Sequence, residues 1–324
     1  MKRAGERTEV RASPAAIWTA LGVVYVVWST TFVAIRVVNE TLPPMLATGV
    51  RFLVAGGVLL PIALRFGDRS GDRPHAAQWR GAAVVAVLLM VGGNGGIVWA
   101  ERTIPSGMAG LAIATVPLWM AAIDRIVLGR RQPTPVFVGL VIGFAGAALL
   151  VGGNALDGEI DMGGLLVAFA AAASWAAGSI YQRHAVLPRR PFVAAGMEML
   201  LGAAMFFLIG TLAGEPGKVD LELFSRASVF ALAYLIAIGS WVGFTSYLWL
   251  LRVARTSLVA TYAYVTPVGA VLLGWLLLDE SLSIRTVVAG AIIVIAVAII
   301  ISTGGTARRD EPAVAGTEAE EAVA

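Results

Sequence analysis

The sequence contains no cysteine, so it can form neither a disulfide bond nor a thiolate metal site. Histidine is nearly as scarce, with two residues in 324, and His75 lies in an arginine-rich loop where a solvent-facing position is expected. The sequence shows no group of His, Asp or Cys at a catalytic spacing. We therefore predict no catalytic residue, no metal and no cofactor.

A phosphate-binding loop is also missing. Glycines cluster around Asn94 in the stretch GGNGG, but no strand precedes them and no GKS or GKT follows. Gly217 and Lys218 likewise lack the Walker spacing. These features argue against nucleotide binding, and an ATP-driven pump would need a separate subunit.

Charge is sparse and apolar residues dominate. Only 14% of residues are charged, against about 25% in a typical soluble domain, while 58% are hydrophobic and the mean hydropathy is +0.81. The apolar residues form about ten runs, each near the roughly 20 residues that cross about 30 Å of hydrocarbon. Alternation with period two is weak, which favours helices over a barrel. The sequence predicts an all-α integral membrane protein with about ten transmembrane helices, over residues 16–38, 44–64, 81–100, 108–128, 135–151, 163–181, 192–212, 229–251, 257–278 and 286–301.

The basic residues indicate the orientation. About 18 of the 24 fall in the termini and connections of one side, which the positive-inside rule assigns to the cytoplasm. Both termini are predicted there, in a bacterial inner membrane. This topology, together with attraction to anionic lipid of the inner leaflet, accounts for the basic excess behind the net charge of +3. The bilayer is therefore the expected partner, and no nucleic-acid partner is needed. The 18 are Lys2, Arg3, Arg7, Arg11, Arg65, Arg69, Arg73, Arg80, Arg125, Arg130, Arg131, Arg183, Arg189, Arg190, Arg252, Arg255, Arg308 and Arg309.

The chain repeats itself. WSTTFVAIR, from Trp28, is answered by WAAGSIYQR, from Trp175, at an offset of 147 residues that drifts to about 150 further on. Five spans per repeat is an odd number, so the second copy must cross the membrane upside down. Inverted repeats with a midplane site are typical of secondary transporters. We predict a disordered arm over 1–15, two five-helix repeats over 16–152 and 153–302, and a disordered tail over 303–324.

Ionisable residues inside the spans are candidates for function. Arg51 and Glu198 occupy matched places in the two repeats with opposite charges. On one interpretation they line a single central cavity from its two ends, where they contact solute or proton. On the other they make structural bonds to neighbouring helices.

Aromatic and hydroxyl side chains near mid-membrane complete the candidate site. They suit a cavity that binds a partly apolar, partly polar solute, although packing is an open alternative for each. Asn94 could instead make an interhelical hydrogen bond. The predicted binding set is Trp28, Thr30, Thr31, Arg51, Asn94, Trp175, Ser179, Glu198, Ser240, Trp241, Tyr262 and Tyr264.

Three motifs, WSTTFVAIR, GVRF and NGGIVWAERTIPSGMAGLAIATVPLW, resemble the EamA branch of the drug/metabolite transporter superfamily, and its YedA-like members most. The resemblance covers about residues 16–302. It implies ten helices in two inverted repeats, with spans one to four and six to nine around a central cavity and spans five and ten at the periphery. Members of the family commonly move amino acids, metabolites or toxic organic compounds, mostly outward.

The expected function is that of a secondary transporter, and an exporter, of small organic solutes by alternating access. Protons are the candidate coupling ion, and a homodimer is an open alternative to a monomer. Two other classes stay open: an intramembrane lipid-modifying enzyme and a structural membrane protein.

Overall fold

The structure is a computed structural model that describes residues 12–66, 73–104, 109, 112–127, 129, 133–151, 161–269 and 284–303. These residues are helical apart from turns and connecting segments, so the all-α prediction is confirmed for them. The helices are α1 Pro14–Thr41, α2 Pro44–Arg65, α3 Ala76–Ala100, α4 Val116–Val127, α5 Thr134–Val151, α6 Met162–His184, α7 Pro191–Leu212, α8 Arg226–Val253, α9 Thr256–Ala260 and α10 Ile284–Thr303.

Six of these helices are long and apolar enough to cross a membrane: α1, α2, α3, α6, α7 and α8. Two shorter apolar helices, Thr134–Leu149 and Val287–Ser302, form most of α5 and α10. Further helical residues, 262–269, follow α9 after a turn at Thr261. The chain is thus a multi-pass membrane protein, while the count of ten spans stays a prediction.

The predicted run 108–128 is interrupted rather than continuous. The chain turns at Thr115, whose N–H and hydroxyl both bond the carbonyl of Ala112 at 3.0 and 2.5 Å. α4 then begins at Val116. Pro117 therefore lies in the first turn of a helix, where the missing N–H costs nothing.

Local sequence explains where the helices begin. Ser13, Asp161 and Ser225 cap α1, α6 and α8 by accepting hydrogen bonds from backbone N–H groups in the first turn. α1, α2 and α7 each begin with proline, which is well suited to the first helical position. The helix ends are therefore set by short-range chemistry.

Helix ends meet at two levels, which we name the lower and upper rims. At the lower rim α1 begins, α2 and α6 end and α7 begins, and the Arg190 guanidinium donates to the Phe66 carbonyl at 2.6 Å. At the upper rim α1 ends, α2 begins and α7 ends, and the Leu46 N–H donates to the Glu215 carboxylate at 2.8 Å. The depth of each site residue is described below by its position between these two rims.

Helices from the two halves of the chain pack against each other. α2 runs along α7, α5 along α10, α1 against α8 and α3 against α6. The contact between α2 and α7 is reciprocal: a Cβ on Gly49 would lie 3.1 Å from the ring of Phe207, and one on Gly196 would lie 2.8 Å from Leu60. A shift of 147 residues turns one contact into the other.

α3 and α8 each contain a π-helical stretch of ten residues. These are Ala86–Gly95 and Leu235–Phe244, 149 residues apart, and each continues into an α-helical end. π-helices are rare and often occur at functional sites. The two stretches face the interior where the halves of the chain meet, and they supply Asn94 and Ser240 to the site.

Candidate functional site

A cavity lies between the two halves of the chain, with a volume of about 80 Å³. This volume has room for a few water molecules, whereas sites for organic ligands usually measure about 300 Å³ or more. The structure therefore shows a contracted site. Its wall consists of Trp28, Thr31, Ile35, Arg51, Gly93, Asn94, Ile97, Ile113, Val116, Ala171, Ala172, Trp175, Phe244, Tyr262 and Thr266.

Arg51 supplies the charge on this wall. It is 6% exposed, its Nε donates to the Ser240 hydroxyl at 2.9 Å, and its Cζ lies 4.8 Å from the centroid of the Phe52 ring. Within the described part of the chain no carboxylate contacts it. A buried guanidinium needs an anionic or strongly polar partner, so the cavity favours an anion beside Arg51.

Asn94 faces the same cavity from the π-helical stretch of α3. Its Oδ1 is buried and has no hydrogen-bond partner among the described residues. The interhelical bond offered as its alternative role is therefore not made by this oxygen. Asn94 thus adds an amide with an unpaired, buried acceptor to the wall that also carries Arg51.

A second, smaller cavity of about 10 Å³ shares Arg51 with the first. Its other walls include Val38, Asn39 and Thr48, which lie close to the upper rim. This volume suits one water molecule. Arg51 thus lies between the main cavity and a small cavity on its upper-rim side.

Four rings close the lower end of the cavity, and we name them the aromatic layer: Trp28, Trp175, Tyr247 and Tyr262. The Trp28 ring centroid lies 5.5, 4.8 and 4.7 Å from those of Trp175, Tyr247 and Tyr262. On α1 the cavity residues extend from Trp28 upward to Ile35, which places the layer at the bottom. Solute in the cavity would rest on these rings.

Hydrogen bonds fix the layer from below. The Trp175 indole N–H donates to the Tyr247 hydroxyl at 2.9 Å, and that hydroxyl is 2.6 Å from the Ser179 hydroxyl. Ser179 in turn donates to the Trp175 carbonyl at 2.7 Å. These bonds hold the rings of Trp175 and Tyr247 in one orientation.

Glu198 lies below the layer and does not line the cavity. It is fully buried in α7 and interacts with Gln182 of α6 and Arg252 of α8. Gln182 follows Ser179 by three residues on α6, so about one helical turn separates this group from the layer. In this structure Arg51 lines the cavity and Glu198 does not.

The structure brings six of the twelve predicted residues to the cavity wall. Ser179 and Ser240 stand behind the wall, where they hold Tyr247 and Arg51. The binding role of each residue stays a prediction. The six are Trp28, Thr31, Arg51, Asn94, Trp175 and Tyr262.

Three other predicted residues lie elsewhere. Thr30 shares a hydrogen bond with the Tyr234 hydroxyl between α1 and α8. The Trp241 indole donates to a carbonyl of α2 at 3.0 Å, and the Tyr264 hydroxyl donates to a carbonyl of α5 at 2.9 Å. In this conformation their contacts are between helices.

Tyr247 is central to the layer but absent from the predicted set. Its counterpart at an offset of 150 residues is Ile97, so the internal repeat gave no signal for it. The remaining clue is its spacing of five residues from Arg252 at the end of a span, which places Tyr247 about 7–8 Å inside that end.

Sequence comparison places the chain among known membrane proteins. Residues 14–152 and residues 162–302 each match the EamA-like transporter family. The inner membrane transporter YedA of Escherichia coli strain K12, whose name describes it as uncharacterized, is 35% identical over 88% of this chain and 90% of its own.

More distant relatives carry similar names. A probable amino-acid metabolite efflux pump of Salmonella typhimurium is 25% identical over 84% of this chain and 90% of its own. The uncharacterized transporter YvbV of Bacillus subtilis is 24% identical over 82% and 85%. A solved crystal structure superposes with a TM-score of 0.72 over 92% of this chain and 100% of its own, at 21% identity, and shows that the fold is shared.

Proposed function

This chain belongs to the EamA-like transporter family, and we propose that it is a secondary transporter of small organic solutes that works by alternating access. Its relatives are named transporters, and the chain is a membrane transporter of the same type. The observation that carries the proposal is the cavity between the two halves, where buried Arg51 has no carboxylate partner among the described residues.

We further propose two inverted repeats over 16–152 and 153–302. Three reciprocal features support this: the π-helical stretches of α3 and α8, the matched contacts of Gly49 and Gly196, and the meeting of Trp28 with Trp175. The excess of arginine at the lower rim supports a cytoplasmic position for that side. The upper rim then faces outward.

The conformation supports a state closed at the lower rim. A second, smaller cavity lies past Arg51 toward the upper rim, and the aromatic layer closes the main cavity below. Below that layer the Tyr25 hydroxyl is 2.5 Å from the Thr261 hydroxyl, and the Arg183 guanidinium donates to the Ala254 carbonyl at 2.6 Å. Opening the lower rim requires these contacts to separate.

The chemistry of the wall favours an organic carboxylate with an apolar body. Arg51 can bind the carboxylate, Asn94 can accept a hydrogen bond from an amino or hydroxyl group, and the rings of Trp28 and Trp175 can cover the apolar part. The name of the Salmonella relative directs the first tests to amino acids, and outward transport is part of the proposal.

The test is uptake by proteoliposomes of L-leucine, L-phenylalanine, benzoate and tetramethylammonium as probes. We expect carboxylate uptake above that of protein-free liposomes, and no uptake of tetramethylammonium. Arg51→Ala should lower carboxylate uptake about 10- to 100-fold, the equivalent of a charge-assisted hydrogen bond. Arg102→Ala is the matched control, because that arginine is exposed beside Trp99 at the upper rim.

Two results would count against the proposal. Uptake equal to that of empty liposomes for all four probes would remove the transporter assignment for this solute class. Equal losses for Arg51→Ala and Arg102→Ala would show that the cavity arginine does not bind the solute.

A further inference from the structure

Unpaired polar atoms are concentrated below the aromatic layer. Of the seven buried side-chain nitrogen and oxygen atoms without a hydrogen-bond partner in the described ranges, five belong to Glu198, Gln182 and Arg252. Buried polar groups are normally paired, and ionisable groups inside a membrane are costly. We name these three residues the lower polar cluster.

The surroundings of Glu198 limit what it can interact with. Arg252 of α8 is the charged group that interacts with it, and Gln182 of α6 is the polar one. Arg252 Nη1 is occupied by the carbonyls of Pro188 and Arg189 at 2.9 and 3.2 Å. α2 and α3 also pack on α7, and among described residues they add no charged side chain that interacts with Glu198.

The cluster has two hydrogen-bonded arrangements that differ by one proton. A neutral Glu198 can donate its O–H to Gln182 Oε1 and accept from Gln182 Nε2, which pairs all four of these atoms. An ionised Glu198 can accept from Gln182 Nε2 and from Arg252 Nη2, but Gln182 Oε1 then has no donor. The proton therefore decides which arrangement the buried cluster prefers.

The position of Glu198 connects this choice to the transport cycle. Glu198 corresponds to Arg51 at an offset of 147 residues, and Arg51 lines the cavity near the upper rim. If the two repeats exchange conformations, as the proposed function requires, Glu198 comes to line a cavity open at the lower rim. There water stabilises the carboxylate.

We propose that Glu198 is a proton-binding switch of the transport cycle. It is neutral and lies beside Gln182 while the lower rim is closed, and it releases its proton to water when the cavity opens at that rim. The proton is the only species exchanged. One proton changes the equilibrium between the two states by up to about tenfold per pH unit.

The natural absence of cysteine supplies a direct readout. Ser179→Cys is nearly isosteric and places one thiol, fully buried, at the underside of the aromatic layer. A small cationic methanethiosulfonate reagent should label it only when the lower side opens. Labelling rates are compared between about pH 6 and about pH 8. The ionisation of the thiol itself raises the rate over this range, but it does so equally in every variant.

The matched variant is Ser179→Cys with Glu198→Gln. Because the amide cannot ionise, the labelling rate of this variant should show only the pH dependence of the thiol itself. In the variant that keeps Glu198, the labelling rate should rise with pH about tenfold more steeply. Identical pH profiles would overturn the switch.

Infrared spectroscopy provides a second measurement that uses no cysteine. In a chain carrying Glu101→Gln, we expect a neutral-carboxyl band near neutral pH that disappears on adding Glu198→Gln. A spectrum without that band would also overturn the proposal.

The proton switch rests on the proposed transport function, but the two proposals can be tested separately. L-leucine uptake at equal pH on both sides tests transport alone. Uptake together with identical labelling profiles overturns the switch and leaves the transporter standing. Steeper labelling in the Glu198 chain without uptake of any probe supports the proton site and counts against the proposed solute class.

Discussion

Trp28 and Trp175 are 147 residues apart in the chain, and their rings meet edge to face with centroids 5.5 Å apart and planes at 81°. Each ring also lies against a glycine in the π-helical stretch of the other half. A Cβ on Gly93 would lie 2.6 Å from Trp175 Cε3, and one on Gly243 would lie 3.0 Å from Trp28 Nε1. The two halves therefore meet through reciprocal contacts that leave no space for a side chain.

Gly93→Ala and Gly243→Ala should each destabilise the protein by about 1–3 kcal/mol, since an added methyl forces a packed ring aside. Thermal unfolding in detergent measures this. Gly57→Ala on α2 is the matched control, because no atom lies within 4 Å of the added carbon. Unfolding temperatures that match among all three variants would show that the contact is not tight.

The internal sequence repeat allowed some of the site residues to be predicted, but not all of their positions. Matching the two halves found Trp28, Trp175 and the pair Arg51 and Glu198 from residue identity alone. The inverted repeat also predicted that Arg51 and Glu198 approach the cavity from opposite ends. It could not show that an aromatic layer separates Glu198 from the cavity, because that depends on how α7 packs against α6 and α8. Glu198 consequently lies below the aromatic layer and Arg51 above it.

Helix geometry explains another difference. Tyr262 and Tyr264 were both predicted to line the cavity, but residues two apart point about 200° apart around a helix. Tyr262 faces the cavity, whereas Tyr264 is buried against α5. An apolar run shows which residues are in the membrane, and only the packed helices show which face each one occupies.

Glu215 connects the end of α7 to the start of α2. Its two carboxylate oxygens accept from the N–H groups of Met45 and Leu46 at 3.1 and 2.8 Å. Glu215→Ala leaves these groups without their acceptor, so we expect a loss of about 1–3 kcal/mol in the free energy of unfolding. Denaturation in detergent is the measurement, with the exposed Glu222→Ala in the next turn as control. Equal stability of the two variants would contradict a capping role.

Glu101 should make stability depend on pH. It lies in the turn beyond the end of α3, where burial raises its pKa from 4.5 to about 7 against the opposing effect of Arg36. The folded state then binds the proton more tightly than the unfolded state, so stability is highest in acid and falls as pH rises from about 4.5 to about 7. The full change is at most about 3 kcal/mol.

Glu101→Gln removes this titration, so its unfolding temperature should fall less across that pH range than that of the natural chain. Glu40→Gln, at an exposed position near the upper end of α1, is the control and should keep the natural slope. A Glu101→Gln profile parallel to the natural one would assign the pH dependence to other groups.

The distribution of arginine makes the orientation testable. Arg65, Arg80 and Arg189 are exposed near the lower rim, and more basic residues follow in the terminal segment that contains Arg309. Because basic connections stay in the cytoplasm, a fluorescent protein fused after Arg309 should be fluorescent and an alkaline phosphatase fused there inactive. The same phosphatase inserted at Asp157, in the predicted external connection outside the described residues, should be active. An active phosphatase after Arg309 would reverse the orientation, and with it the assignment of the aromatic layer to the cytoplasmic side of the cavity.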